Sequence, residues 1–151
     1  MTEFALGPYR LSVDVEATQN WYHVHGEAAG GCDCAYCRNF SAAVEALPPE
    51  VGAFLTRLGL DLRKPEDASE CGPADGGRLY LPIYHLAGRL LERGAGPLTL
   101  APGVTAWFTT DQGPFPRNFP EPFSSAVWNC VCPGSWRSRN LKNEEPSSEM
   151  P

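Results

Sequence analysis

The chain of 151 residues fits one domain at roughly 150 residues per domain, and its 42% hydrophobic, 11% aromatic and 20% charged residues support a packed core and exclude a disordered polymer. Twelve Lys and Arg against eighteen Asp and Glu leave a formal charge of -6 without a basic cluster, which argues against nucleic acid or an anionic membrane as the main partner. No apolar run approaches the ~20 residues of a membrane helix, and Met1-Thr2-Glu3-Phe4 lacks the basic and apolar regions of a secretion signal. A cytoplasmic location is therefore expected, where six cysteines serve as thiols or ligands rather than structural disulfides.

Fifteen Gly and fifteen Pro punctuate the chain into many short elements. Phe4 to Val15 reads as a strand, because Leu11, Val13 and Val15 alternate with Ser12 and Asp14. A second strand is predicted over Asn20 to His25, with Trp21, His23 and His25 on one face and Tyr22 and Val24 on the other. From Ala35 the period changes: Tyr36, Phe40, Val44 and Leu47 form a helical stripe that Pro48-Pro49 ends. Val51, Phe54, Leu55 and Leu58 give a second helix its buried face, and the two form a predicted hairpin. Lys64 to Gly77 is polar and reads as a loop, whereas Arg78 to Leu91 is open to two readings: Leu86 to Arg93 alone fits a helix, but Pro82 and Gly88 oppose one continuous helix and favour strand with a bulge or bend at Gly88.

Leu98 to Leu100 and Val104 to Thr110 are further strands. Gly113 to Phe123 carries four prolines and is expected to cross the surface in extended form, packing its Phe residues inward. Ser125 to Cys132 is a last strand, with Ala126, Trp128, Cys130 and Cys132 on one face. Strands at both ends around a helical pair predict an α+β domain, an antiparallel β-sheet or sandwich with the hairpin inserted after the second strand. Residues 1–137 form that single domain, and polar residues 138–151 are expected to be a disordered tail.

The chemistry concentrates in Cys32-Asp33-Cys34-Ala35-Tyr36-Cys37-Arg38-Asn39-Phe40. Three thiols at the start of a predicted helix meet uncapped backbone N–H groups and the positive end of the helix dipole, which favour thiolate, both the nucleophile and the metal ligand. One reading has Cys32, Cys34 and Cys37 holding Zn2+ with a fourth ligand from elsewhere, His25 or His85 first. Cys71, Cys130 and Cys132 are more distant candidates for that position. A second reading makes Cys34 and Cys37 a redox pair with Cys34 attacking, although the expected βαβ context is missing. A third treats the cysteines as small hydrophobes of the core.

His23, beside His25 and Trp21, would line a pocket if the segment is a strand. Arg38 and Asn39 would place a guanidinium and an amide at the first helical turn. The phosphate-binding Gly loop, the GxGxxG and GxSxG motifs and HExxH are all missing, so no reaction is indicated and an enzymatic role is left open.

The run Cys-x-Cys-x-x-Cys-x-Asn-Phe, with Leu58-Gly59-Leu60-Asp61, Tyr84-His85-Leu86-Ala87-Gly88 and Phe119-Pro120-Glu121-Pro122 downstream, resembles a small family of uncharacterised bacterial proteins. The resemblance spans most of residues 10–130, with the cysteine run its specific part, and it implies importance for the triplet, His85 and Asn39 without supplying a reaction. The chain departs from that family at Cys130-Val131-Cys132, a stretch without cysteine in the others, which argues against these two as ligands. The expectation is thus a cytoplasmic bacterial protein with a compact cysteine cluster suited to Zn2+. The alternatives are a metal-free interaction module, in which hairpin and Phe-Pro segment present a surface, and a thiol redox protein. Partner and homo-oligomeric state are left open.

Overall fold

A 17-residue strand organises the molecule, and its length explains how two separate strands share one of its edges. The computed structural model describes residues 1–74, 77–110 and 118–132, without the side chains of residues 74 and 130–132. The strands are β1 (Thr2–Leu6), β2 (Tyr9–Val13), β3 (Asp67–Ala74), β4 (Gly77–Arg93), β5 (Leu98–Ala101), β6 (Val104–Thr109) and β7 (Phe123–Cys132). Three α-helices, α1 (Val15–His25), α2 (Ala35–Ala43) and α3 (Pro49–Arg57), lie between β2 and β3. All pairings are antiparallel, in the order β1-β2-β4-β7-β6-β5. The α+β class expected from the order of patterns is the class observed.

On one edge of β4, β3 pairs with its first half (Asp67 opposite Ile83) and β2 with its second (Val13 opposite Gly88). The handover falls at Gly88, the predicted bend. A Cβ there would lie 2.1 Å from the carbonyl oxygen of Ser12, so only glycine lets β2 approach.

Four β4 residues between the two partners, 84–87, have no strand beside them on that edge, and α1 supplies what the sheet lacks. The His85 N–H donates to the Tyr22 hydroxyl at 2.8 Å, and the Ala87 N–H donates to Thr18 Oγ1 at 3.0 Å. Asp14 N donates to the Ala87 carbonyl and Glu66 N to that of Ile83, both at 2.7 Å. A buried amide left without a partner costs about 1–3 kcal/mol, so these contacts decide where α1 docks.

That docking overturns the predicted strand over Asn20 to His25: the segment is the C-terminal half of α1. Asp14 caps the helix, accepting from Ala17 N at 3.0 Å, and Val15, Thr18 and Tyr22 follow at helical spacing. The helical stripe is hard to read because its buried centre is a threonine, whereas Trp21, His23 and His25 imitate strand alternation. Three other expectations also change. Phe4 to Val15 is two strands around a Gly7-Pro8 turn, with Leu6 opposite Tyr9. Lys64 to Gly77, read as loop, contains β3, whose polar residues suit an edge strand; Ala68 is its buried residue and Glu70 pairs with Arg78 at 3.0 Å. The expected helical pair exists as α2 and α3, but α2 seats on β3 and β7 and α3 on β5.

The core runs continuously under the helices, with Trp128, Tyr80, Tyr84, Phe40 and Phe108 its largest buried side chains. Phe119, from the Pro-rich segment, is buried against Trp21 and Tyr22, as expected of its Phe residues. Residues 111–117, which include the start of that segment, and the predicted tail lie outside the described residues. No helix among the described residues is long and apolar enough to cross a membrane.

Candidate metal centre

The cysteine triplet sits where a left-handed turn meets the start of α2. Ala29, Gly30 and Gly31 all have positive φ, at 49°, 66° and 85°. Gly30 lies so close to the chain at Glu66 that a Cβ would stand 2.5 Å from its carbonyl oxygen. Ala29 N donates to the Arg63 carbonyl at 3.1 Å, tying the turn to the chain that leads into β3. Cys32 N then donates to the Ala29 carbonyl at 3.3 Å, and Cys34, extended at φ -74° and ψ 171°, precedes the helix.

Three sulfurs converge as a result. Ligand atoms of Cys32, Cys34 and Cys37 all lie within 4.8 Å of one another, and the Cys32 and Cys34 Sγ atoms are 3.3 Å apart. Thiolates around one tetrahedral zinc, at about 2.3 Å from it, stand roughly 3.8 Å from each other. The spacing matches a single ion. Cys37 is buried, while Cys32 and Cys34 are exposed, so the group has an inner and an outer side.

The thiols differ in acidity for the same reason. Burial, reinforced by hydrogen bonds with the neighbouring sulfurs, pushes the Cys37 thiol well above its ordinary range. Cys32 is lowered, first by the hydrogen bond from Cys37 and then by the Cys34 backbone N–H. No side chain caps the N-terminus of α2, so its first-turn N–H groups also favour negative charge on sulfur.

Beneath the sulfurs, α2 is pinned to β4. Asn39 is buried and its Nδ2 donates to the Tyr80 hydroxyl at 2.9 Å; that hydroxyl donates onward to the Tyr36 carbonyl at 2.9 Å. Because the hydroxyl spends its proton on Tyr36, it accepts from Asn39, which fixes the amide's orientation. Phe40 packs on Tyr80 and Trp128, and the Arg78 guanidinium lies 4.9 Å from the centre of the Tyr36 ring. Arg38 is exposed and donates to the Asp33 carbonyl at 2.6 Å, bracing the loop between the first two cysteines.

The predicted histidines are placed elsewhere. Among the described residues the ligand group holds the three thiols alone. His85 is buried in β4, its Nδ1 2.9 Å from Ser125 Oγ and its ring against Phe119 and Phe123. His25 is exposed on α1 with its ring 4.9 Å from that of Trp21. His23, two residues earlier on a helix, points away from His25 and lines a half-open cleft of about 370 Å³ with Gln19, Thr56, Asp61, Arg63 and Lys64. The shared strand face expected of the pair does not exist. Cys71 is exposed on β3, outside the group; the side chains of Cys130 and Cys132 lie outside the described residues.

Sequence reasoning missed Tyr80, which holds the helix start, and Thr18 and Tyr22, which complete β4. Their roles depend on partners 41 to 69 residues away, a separation no local pattern carries. No family model, curated protein or solved structure matches the chain.

Proposed function

We propose that this protein binds a zinc ion through Cys32, Cys34 and Cys37. The observation that carries the reading is the convergence of three sulfurs within 4.8 Å on a turn that glycines and an uncapped helix start hold in place. Sulfur ligands select zinc and other thiophilic ions over magnesium or calcium. Metal binding would draw the proton from Cys37, whose buried thiol is otherwise hard to ionise, and affinity therefore rises with pH.

His25 packs on Trp21 and His85 is engaged by Ser125, so among the described residues the three thiols are the whole ligand set, and the fourth position in this reading falls to water or to an external donor on the exposed side. Three protein ligands and one exchangeable position make the ion accessible to an incoming molecule, the arrangement of catalytic rather than closed structural zinc.

Zinc content after dialysis against a competing chelator tests this. The expected result is close to one zinc per chain, lost in Cys37→Ser and in Cys34→Ser and kept in His25→Ala. Saturating zinc at about 100 times Kd should stabilise the fold by about 2.7 kcal/mol and raise Tm by about 5–10 °C. A chain that retains no zinc while its thiols are reduced and titratable overturns the proposal.

A further inference from the structure

We infer that Cys32 and Cys34 form a peroxide-sensitive disulfide switch, whose closure removes two of the three sulfurs from the metal. Its observation is separate from the convergence of the triplet: the two sulfurs are 3.3 Å apart, and both residues are exposed, whereas Cys37 is buried. A disulfide requires about 2.05 Å between sulfurs, so closure moves them together by little more than 1 Å, within reach of side-chain rotation. Cys32 precedes α2 and Cys34 is its N-cap, whose carbonyl accepts from Arg38 N at 2.9 Å, so a rotation of the two side chains leaves the helix's backbone bonds in place. The pair differs from the Cys34–Cys37 couple that the spacing alone suggests: there one partner is buried and stands inside the helix.

Hydrogen peroxide is the oxidant. The Cys32 sulfur attacks one peroxide oxygen, the O–O bond breaks, and the leaving hydroxide takes a proton to become water; Cys32 is then a sulfenic acid. The Cys34 sulfur attacks the Cys32 sulfur, the S–O bond breaks, and a second water departs with the Cys34 proton. Two thiols are oxidised to one disulfide while one peroxide is reduced to two waters. Cys37 remains a lone thiol, and a single sulfur cannot hold the ion that three held. The release of metal rests on the zinc reading above; the disulfide itself does not.

The test treats the full chain, zinc-free and zinc-loaded, with hydrogen peroxide, alkylates it under denaturing conditions and locates the modified residues by peptide fragmentation. The expected result is an alkylated Cys37 beside a Cys32–Cys34 disulfide in wild type, the same bridge in Cys37→Ser, and a dimedone-reactive Cys32 in Cys34→Ser. In the zinc-loaded sample a chromogenic chelator should record release in step with disulfide formation, with at least a tenfold loss of zinc affinity after oxidation. A Cys34–Cys37 bridge, preferential oxidation of Cys37, or no intramolecular bridge in zinc-free protein overturns the inference, whether or not zinc binds. If zinc never binds yet the Cys32–Cys34 bridge forms, the zinc reading falls and the switch stands as a thiol couple.

Discussion

Two regions of this molecule gather chemically capable side chains, and they use them in opposite ways. At the seam between α1 and β4, the buried Thr18 and Tyr22 hydroxyls accept from the Ala87 and His85 N–H groups and complete an edge that the strand partners leave open, while the buried His85 ring meets Ser125 Oγ. At the turn into α2, three thiols face one another with two of them at the surface, and no side chain caps the helix behind them. In the first region the two hydroxyls are consumed by the fold. In the second the thiols are held in place by the fold and left available. A histidine in the seam and a cysteine in the turn look equally suggestive in a sequence; only their partners separate a residue committed to packing from one placed where it could hold a metal.

The largest expected effect breaks the seam. Gly88→Val would drive a side chain into the Ser12 carbonyl and part β2 from β4, costing about 3 kcal/mol or more, read as a lower urea midpoint or as loss of soluble protein. Thr18→Val should be milder, about 1–3 kcal/mol, because it leaves the Ala87 N–H without its acceptor. In both, any variant that folds should bind zinc as the wild type does. If Thr18→Val lowers zinc affinity as much as it lowers stability, the two regions are not independent.

Tyr80→Phe tests the support beneath the thiols. It removes the link between Asn39 and the Tyr36 carbonyl and should cost about 1–3 kcal/mol. Because the link steadies the α2 backbone that carries Cys37, one residue beyond Tyr36, zinc should bind several-fold more weakly by competition with a chelator. Unchanged affinity would reduce Tyr80 to a packing residue.

The smallest effect concerns pH. Burial raises the pKa of Glu66, whose carboxylate also takes a hydrogen bond from Tyr22. A raised pKa means the folded state holds the proton more tightly than the unfolded chain does. Its contribution is complete below the ordinary carboxylate range and is lost as pH rises through the raised value. Glu66→Gln should flatten that decline in unfolding experiments across the range just above pH 4.5, with little change below it. An identical pH profile would show that Glu66 is better solvated than its position beside Tyr22 implies.

β6 was legible because one of its faces is buried and the other is not, whereas β4 and β7, buried on both faces over residues 84–88 and 124–128, were legible from their apolar and aromatic runs and, in β4, from Pro82 and Gly88, which oppose a continuous helix. α1 was not, since its docking is carried by a threonine and a tyrosine hydroxyl instead of an apolar stripe. β3 was hidden for a related reason: an edge strand tolerates Asp, Ser and Glu where a central strand would not. The candidate site divides in the same manner. Three cysteines within six residues are local, so their spacing carried the information; the positions of His25 and His85 depend on how α1 meets β4.

X-ray absorption at the zinc edge of the loaded protein measures the central claim most directly, because it counts sulfurs around the ion. Three sulfur neighbours at about 2.3 Å with one nitrogen or oxygen neighbour at about 2.0 Å are predicted. A shell of nitrogen and oxygen alone, or one with a single sulfur, would mean that Cys32, Cys34 and Cys37 do not act on one metal.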